Sequence, residues 1–335
     1  MIRLLLLLIV LALAGGGLYA YSDYQRYLET PVAIDEENPE FTIERGWSAK
    51  RVGMELEKRG IIDKRYWFDL YARQSEKASR IKTGEFILDE GLTVPTLFDT
   101  FIEGQTRQYT QTIIEGFNWK QALAQVAESE HLQHTLGDPA LLSEDSLMQA
   151  LGFEGLHPEG QFFADTYAFP AGTTDVEYLQ RAKRMLDEVL AEEWAGRSDS
   201  LPIETPYEAL IMASIVEKET GVAAERPLIA GVFMSRLRKR MRLQTDPTVI
   251  YGMGDAYDGN IRRRDLTTDT PYNTYTRGGL PPTPISMVGR AAINAVMHPE
   301  DTTALYFVSR GDGTHKFSDT LEEHNAAVRK YQLRR

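Results

Sequence analysis

The sequence predicts an α+β protein with a single N-terminal transmembrane helix, a small β-α module and a larger α+β region after it. Three observations carry this prediction. The chain opens on one long uncharged apolar run. Short apolar strands, glycine turns and amphipathic helices then follow one another. From Pro206 onward, apolar helices alternate with turns rich in glycine and proline. At 335 residues the chain has room for two or three modest domains.

The first element is Leu4 to Tyr21, 18 residues without a charge. As a helix this run spans about 27 Å, close to the hydrocarbon thickness of a bilayer. Arg3 and the α-amino group precede it, which favours the N-terminus on the cytoplasmic side. Tyr19, Tyr21, Tyr24 and Tyr27 then fall at or beyond the far interface, where amphipathic rings settle. The alternative is a cleaved leader, for which Ala12-Leu13-Ala14 is the candidate site. On either reading residues 22–335 lie outside the cytoplasmic membrane. Residues 1–21 are assigned to the anchor and 22–39, polar with Pro31 and Pro39, to a linker, so that order begins near Phe41.

Strand–glycine–helix text follows three times. Phe41 to Gly46 leads into Ser48 to Arg59, Phe86 to Gly91 into Thr93 to Ile102, and Thr112 to Gly116 into Trp119 to Ser129. The glycines are unevenly spaced, which argues against a solenoid. Within Ser48 to Arg59, Val52 and Leu56 are spaced for one helix face, and Gly60 is a good terminator. Residues 131–165 read as irregular. Asp175 to Ala195 reads as a long helix opened by Thr173-Thr174. Tyr207 to Thr220, Arg226 to Met241, Met287 to Met297 and Leu321 to Tyr331 read as helices. Ala304 to Ser309 alternates as a strand does.

Composition removes several classes of function. The 37 Lys and Arg against 49 Asp and Glu give a net charge of −12, which disfavours non-specific nucleic-acid binding. Without cysteine there is no disulfide, thiolate metal site or thiol nucleophile. No phosphate-binding loop, zinc-protease helix, nucleophile elbow or calcium loop occurs, so neither a cofactor nor a metal is expected. His131 and His134 lack a third ligand nearby and read as a surface pair.

The chemistry concentrates in Ala209 to Thr220. On a helix, Met212, Ile215 and Val216 fall within about 60° of Glu219, whereas Glu217 falls about 160° away. Glu219 therefore continues the apolar stripe, where a carboxyl is hard to ionise and suits a general acid. The plainer reading is a helix-end glutamate paired with a cation such as Arg226. Around Asp246, in Met241 to Tyr251, short polar side chains cluster in what reads as a turn. Pro271 to Thr276 with Gly279 to Pro282 makes either a sugar-binding wall of tyrosines and an asparagine or a structural loop. Arg236, Arg238, Lys239, Arg240 and Arg242 read more readily as a solvated helix face than as a contact to an acidic polymer.

Taken in order, these segments carry a resemblance. Ser214-Ile-Val-Glu-Lys-Glu-Thr220, Met241 to Gly252, Tyr272-Asn-Thr-Tyr275, Gly279-Leu-Pro-Pro282, Leu305-Tyr-Phe-Val308 and Gly313-Thr-His-Lys-Phe317 resemble the endolytic murein transglycosylases, the YceG-like (MltG) family. The resemblance covers roughly residues 40–335 and is looser in the first half. It implies a LysM-like module over 40–105 and a YceG-like catalytic region over 106–335, with the active site in 205–335. It implies a lyase that cuts the MurNAc-β-1,4-GlcNAc bond of peptidoglycan without water, leaving 1,6-anhydro-MurNAc ends. The family's catalytic glutamate maps onto Glu219, with Glu217 structural. Gln244, Asp246, Tyr251, Asn273 and Tyr275 are the candidates for holding the glycan. Implied partners are peptidoglycan strands and their synthases, the penicillin-binding proteins, with the chain anchored once in the inner membrane and its catalytic region in the periplasm. Two rivals differ in kind. A non-catalytic wall-binding scaffold would bind glycan without Glu219. A two-carboxylate muramidase would need a second acid, Asp246 or Glu225, and would leave reducing ends.

Overall fold

The computed structural model describes residues 2–333. The chain divides into two compact units, one of residues up to 109 with 168–173, the other of 110–167 with 174 onward.

The first unit contains α1 (Ile2–Glu29), β1 (Glu40–Ile43), α2 (Ala49–Lys58), α3 (Arg65–Gln74), β2 (Gly84–Ile87) and α4 (Val94–Glu103). β1 and β2 run antiparallel with Phe41 opposite Phe86. α2 starts where Ser48 accepts the Arg51 N–H at 3.3 Å and stops before Gly60, whose φ of +73° suits glycine. Between strands and helices, Phe41, Phe68, Phe86, Phe98 and Phe101 are fully buried, with ring centroids 4.9 Å apart for Phe68–Phe98 and 5.6 Å for Phe41–Phe101. α3 is a further helix, with Arg65, Asp69 and Arg73 four residues apart along one polar face and Phe68 and Ala72 buried on another.

α1 is long and apolar enough to cross a membrane, and its leucines from Leu4 to Leu18 all stand out from the protein. The linker expected over 22–39 is corrected in its first part. α1 continues to Glu29, and Tyr24 and Tyr27 are buried in this unit. Asp23 accepts from Lys64 Nζ at 2.7 Å and Trp67 Nε1 at 2.9 Å. Order therefore begins well before Phe41. Polar composition suggested a spacer, but two tyrosines three residues apart share a helix face and bury it.

β3 (Gln108–Thr112) and β4 (Thr166–Pro170) each have residues in both units. The second unit contains α5 (Trp119–Ala127), α6 (Glu144–Ala150), α7 (Asp175–Ala195), α8 (Pro206–Glu219), α9 (Arg226–Arg238), α10 (Asp246–Met253), α11 (Arg263–Thr267), α12 (Arg290–Met297), β5 (Tyr306–Ser309), β6 (His315–Ser318) and α13 (Leu321–Tyr331). α8 is its axis. Every residue from Ala209 to Val216 is buried, in a core shared with Leu186 and Val189 of α7, Ile229 and Phe233 of α9, and Ile293 and Val296 of α12. A helix apolar all round belongs at a centre rather than on a surface.

Two contacts fix what surrounds α8. Ser214 Oγ donates to the Ile211 carbonyl at 2.7 Å and accepts the Ile285 N–H at 2.9 Å, which ties the proline-rich loop to mid-helix. On α9, a Cβ at Gly231 would lie 2.2 Å from the Glu300 carbonyl oxygen, so only glycine fits. The segment around Asp246, expected as a turn, is the helix α10, with Thr245 as its N-cap residue and Pro247 in its first turn. The stretch 131–165, expected as irregular, contains α6, opened by Ser143, which accepts the Ser146 N–H at 3.2 Å.

Candidate active site

Glu219 is the last residue of α8, at the rim of a cleft of about 500 Å³. Asp246 and Gln244 reach this cleft from the start of α10, Tyr275 from the loop after α11, Arg236 from α9, and His315 and His324 from β6 and α13. The carboxyl group of Glu219 is held in place by the Thr245 hydroxyl, which donates to Oε1. Thr245 is fixed in turn: its N–H donates to Thr274 Oγ1 at 3.1 Å, and Thr274 shares a hydroxyl contact with Thr248 at 2.9 Å. Burial pushes the Glu219 pKa up to about 7; the Thr245 bond and Arg236 pull it down and Asp246 pushes it further up. The C-terminal end of a helix dipole also disfavours a negative charge there.

Both glutamates of the motif leave water, which the stripe argument did not foresee. Both are partly buried while Lys218 between them is exposed, so angle alone does not separate them. Their partners do. Glu217 forms an ion pair with Arg226 at 3.2 Å and accepts the Gly289 N–H at 3.1 Å. Arg226, considered as a partner for Glu219, is thus committed to Glu217. Among the described residues no ion pair within 4 Å involves Glu219, and its carboxyl faces the cleft instead.

The other expected residues separate into three places. Gln244 and Asp246 are exposed in the Glu219 cleft, and Tyr275 donates its hydroxyl to Asp246 Oδ1 at 2.6 Å. Gln244 has a φ of +53°, a left-handed backbone unusual for this residue. It is held by its N–H to the Thr274 carbonyl at 3.2 Å and by Arg236 Nη1 to its Oε1 at 3.3 Å. Backbone strain of this kind persists where surrounding structure over-determines it, as at functional sites. Tyr251 faces a different cleft. Asn273 lies behind the surface, 1% exposed. Its Nδ2 donates to the carbonyls of Asp265, Leu266 and Thr268, and its Oδ1 accepts the Tyr275 N–H at 2.9 Å. No side-chain atom remains for a glycan, so Asn273 shapes the loop that carries Tyr275.

Arg236 is corrected from a solvated position to a buried one. It is 7% exposed, donates to the carbonyls of Leu305 at 2.6 Å and Leu243 at 2.8 Å, and lies 5.0 Å over the Tyr306 ring. A run of five basic residues hid the one that turns inward. His315 was also missed as a site residue. Glu225 accepts from its backbone N–H at 2.9 Å and meets its Nδ1 at 2.8 Å, which orients the ring beside the cleft. Glu225, the other carboxylate weighed as a second acid, is thereby occupied. Among the described residues no group of three or more His, Asp or Glu is arranged to hold a metal ion.

The chain is similar to known proteins along most of its length. The profile of the YceG-like family matches residues 41–330. A relative from Bacillus subtilis, named endolytic murein transglycosylase, is 31% identical over 331 residues, covering 94% of this chain and 90% of the relative. One of the same name from Streptococcus pneumoniae is 26% identical over 96% of this chain and 63% of its own. The solved structure of a YceG-like protein from Listeria monocytogenes superposes with a TM-score of 0.54 at 29% identity, over 86% of this chain and 98% of that one.

The two glutamates should respond oppositely to neutralisation. Glu217→Gln leaves Arg226 buried with only Glu115, 4.0 Å away, and should cost about 3 kcal/mol in denaturant unfolding. Glu219 has a folded pKa above its ordinary 4.5, so its ionisation removes stability as pH rises from there to about 7. Glu219→Gln should therefore match or exceed wild-type stability at pH 8. An equal loss in both variants would contradict the assignment.

Proposed function

The chain belongs to the YceG-like family, and from that premise we propose that Glu219 is the single acid–base residue of a membrane-anchored lytic transglycosylase that cuts peptidoglycan strands internally. The observation that carries this is one carboxyl, raised towards neutrality and free of a cation, opening into a cleft beside a strained glutamine. A hydrolase divides its work between two carboxyl groups, one for the leaving group and one for water or a covalent bond. A lytic transglycosylase supplies the nucleophile from the substrate.

The steps balance without water. Protonated Glu219 gives its proton to the glycosidic oxygen. The C1–O bond of MurNAc breaks and GlcNAc leaves with a free 4-hydroxyl. The MurNAc C6 hydroxyl oxygen bonds to C1, and its proton passes to the Glu219 carboxylate, which restores the acid. The 1,6-anhydro ring is the product end. Thr245 holds one oxygen of Glu219 so that the other faces the bond. Asp246, oriented by Tyr275, places a negative charge where C1 becomes positive. Gln244 and Tyr275 position the sugar. Asp246 is also the one carboxylate in the cleft that could serve water, and the identity of the new chain ends decides between the two chemistries.

The apolar part of α1 anchors the chain in the cytoplasmic membrane, with residues beyond it in the periplasm. A tethered enzyme works on strands close to that membrane, where they are being made. Residues 40–105, with the antiparallel β1–β2 pair and the helices between, form the LysM-like module that holds glycan. Penicillin-binding proteins, which extend those strands, are the partners this placement suits.

Mass spectrometry of products from peptidoglycan tests the reading. Anhydro ends from wild type, reduced about 10²- to 10⁴-fold in Glu219→Gln, are expected. Reducing ends would instead assign the muramidase chemistry, and binding without cleavage the scaffold. The rate should also fall as pH rises through about 7, since the acid must carry its proton. Asp246→Asn removes a repelling charge, lowers the Glu219 pKa and should move that limb to lower pH; a limb that stays or rises would contradict the proposed electrostatics.

A further inference from the structure

A second cleft, of about 750 Å³, lies in the same unit and is larger than the one around Glu219. It is lined by Lys120, Glu159, Lys218, Tyr251, Tyr257 and Tyr272, among others. The two clefts share their partition. Lys218 and Glu219 are consecutive at the end of α8, and Asp246 and Pro247 are consecutive at the start of α10. In each pair one residue lines one cleft and its neighbour the other. Successive residues on a helix point about 100° apart, so these two helix ends present a side to each cleft.

The lining has the chemistry of a saccharide site. Glu159 is fully buried within the cleft wall. The Trp119 N–H donates to its two oxygens at 3.1 and 3.4 Å. Burial pushes its pKa up to about 7, and the neighbouring Tyr251 hydroxyl pulls it back. Tyr251 and Tyr272 meet edge to face at 4.8 Å, and Tyr257 is half-buried beside them. Aromatic rings suit the apolar faces of an aminosugar, and the buried Glu159 carboxyl fixes the wall that carries them. Lys120 is exposed and Lys218 donates to the Gly116 carbonyl at 2.9 Å, so two cations face the opening.

We infer that the second cleft binds the same glycan strand several sugars away from the cut bond, with its lysines facing the acidic peptides the strand carries. This rests on the proposed function. An internal cut leaves polymer on both sides of the broken bond. A cleft of about 500 Å³ is the scale of a drug-sized ligand rather than of a polymer. The adjoining cleft supplies the remaining contact and makes long strands better substrates than short ones. It also accounts for Tyr251, which the sequence marks as a glycan contact and the fold turns away from Glu219.

The test compares the full chain in detergent with Tyr257→Ala and Lys120→Glu on peptide-bearing glycan oligomers of two to eight disaccharides. Wild-type kcat/KM should climb with length. In the variants the loss should grow with length and be at least ten-fold greater on the longest oligomer than on the shortest, with melting temperatures matched. A loss equal at every length, or none, overturns the inference. The same oligomers are titrated onto Glu219→Gln with and without Tyr257→Ala. If wild type yields no anhydro ends, the proposed function fails; a length-dependent affinity lost with Tyr257 would still support the second cleft, and its absence would overturn it.

Discussion

The active region depends on holding one carboxyl group out of water without giving it a cation. Glu219 achieves this from the end of a helix whose middle, Ala209 to Val216, is buried on all sides, with the Thr245 hydroxyl as its direct partner. Most nearby features serve that constraint. Glu217 holds Arg226 in an ion pair and accepts the Gly289 N–H, so Arg226 is paired away from Glu219. Ser214 fastens the proline-rich loop to α8. The threonines 245, 248 and 274 lock α10 against the loop that carries Tyr275. Arg236, the cation that does approach, spends its hydrogen bonds on backbone carbonyls and Gln244, so its charge tempers the acid without pairing with it.

This arrangement gives the electrostatics two opposing settings. Asp246 and burial favour the protonated acid; Thr245 and Arg236 favour the carboxylate. A group that must both give and take a proton near neutral pH needs such a balance, since either influence alone would fix it in one state.

Much of this was legible in the sequence, and the failures have physical causes. α7, α8 and α13 lie where cap residues and apolar spacing put them, because threonine caps and proline near the first turn act locally. Glu219 was singled out by its stripe position and by the resemblance, although that stripe was only part of a segment, Ala209 to Val216, that is buried all round. α10 was read as a turn because proline and short polar residues mark helix starts as well as turns. Asn273 was placed at the glycan because an amide suits both a sugar and a backbone cage, and only the fold shows its four bonds already made. Arg236 and His315 carried no local signal. One sat within a basic run, and the other is oriented by Glu225, 90 residues away. The helical continuation through Tyr27 was hidden because its partners are well separated in sequence: Lys64 and Trp67 hold Asp23, and the Tyr24 ring meets that of Trp67.

The most direct measurement is the pKa of Glu219 itself, from the carboxyl infrared band of the full chain in detergent, isolated as the difference between wild type and Glu219→Gln. The account requires a midpoint of about 7. A midpoint at the ordinary 4.5 would mean the carboxyl is ionised at neutral pH, and the single-acid mechanism would then lack its proton.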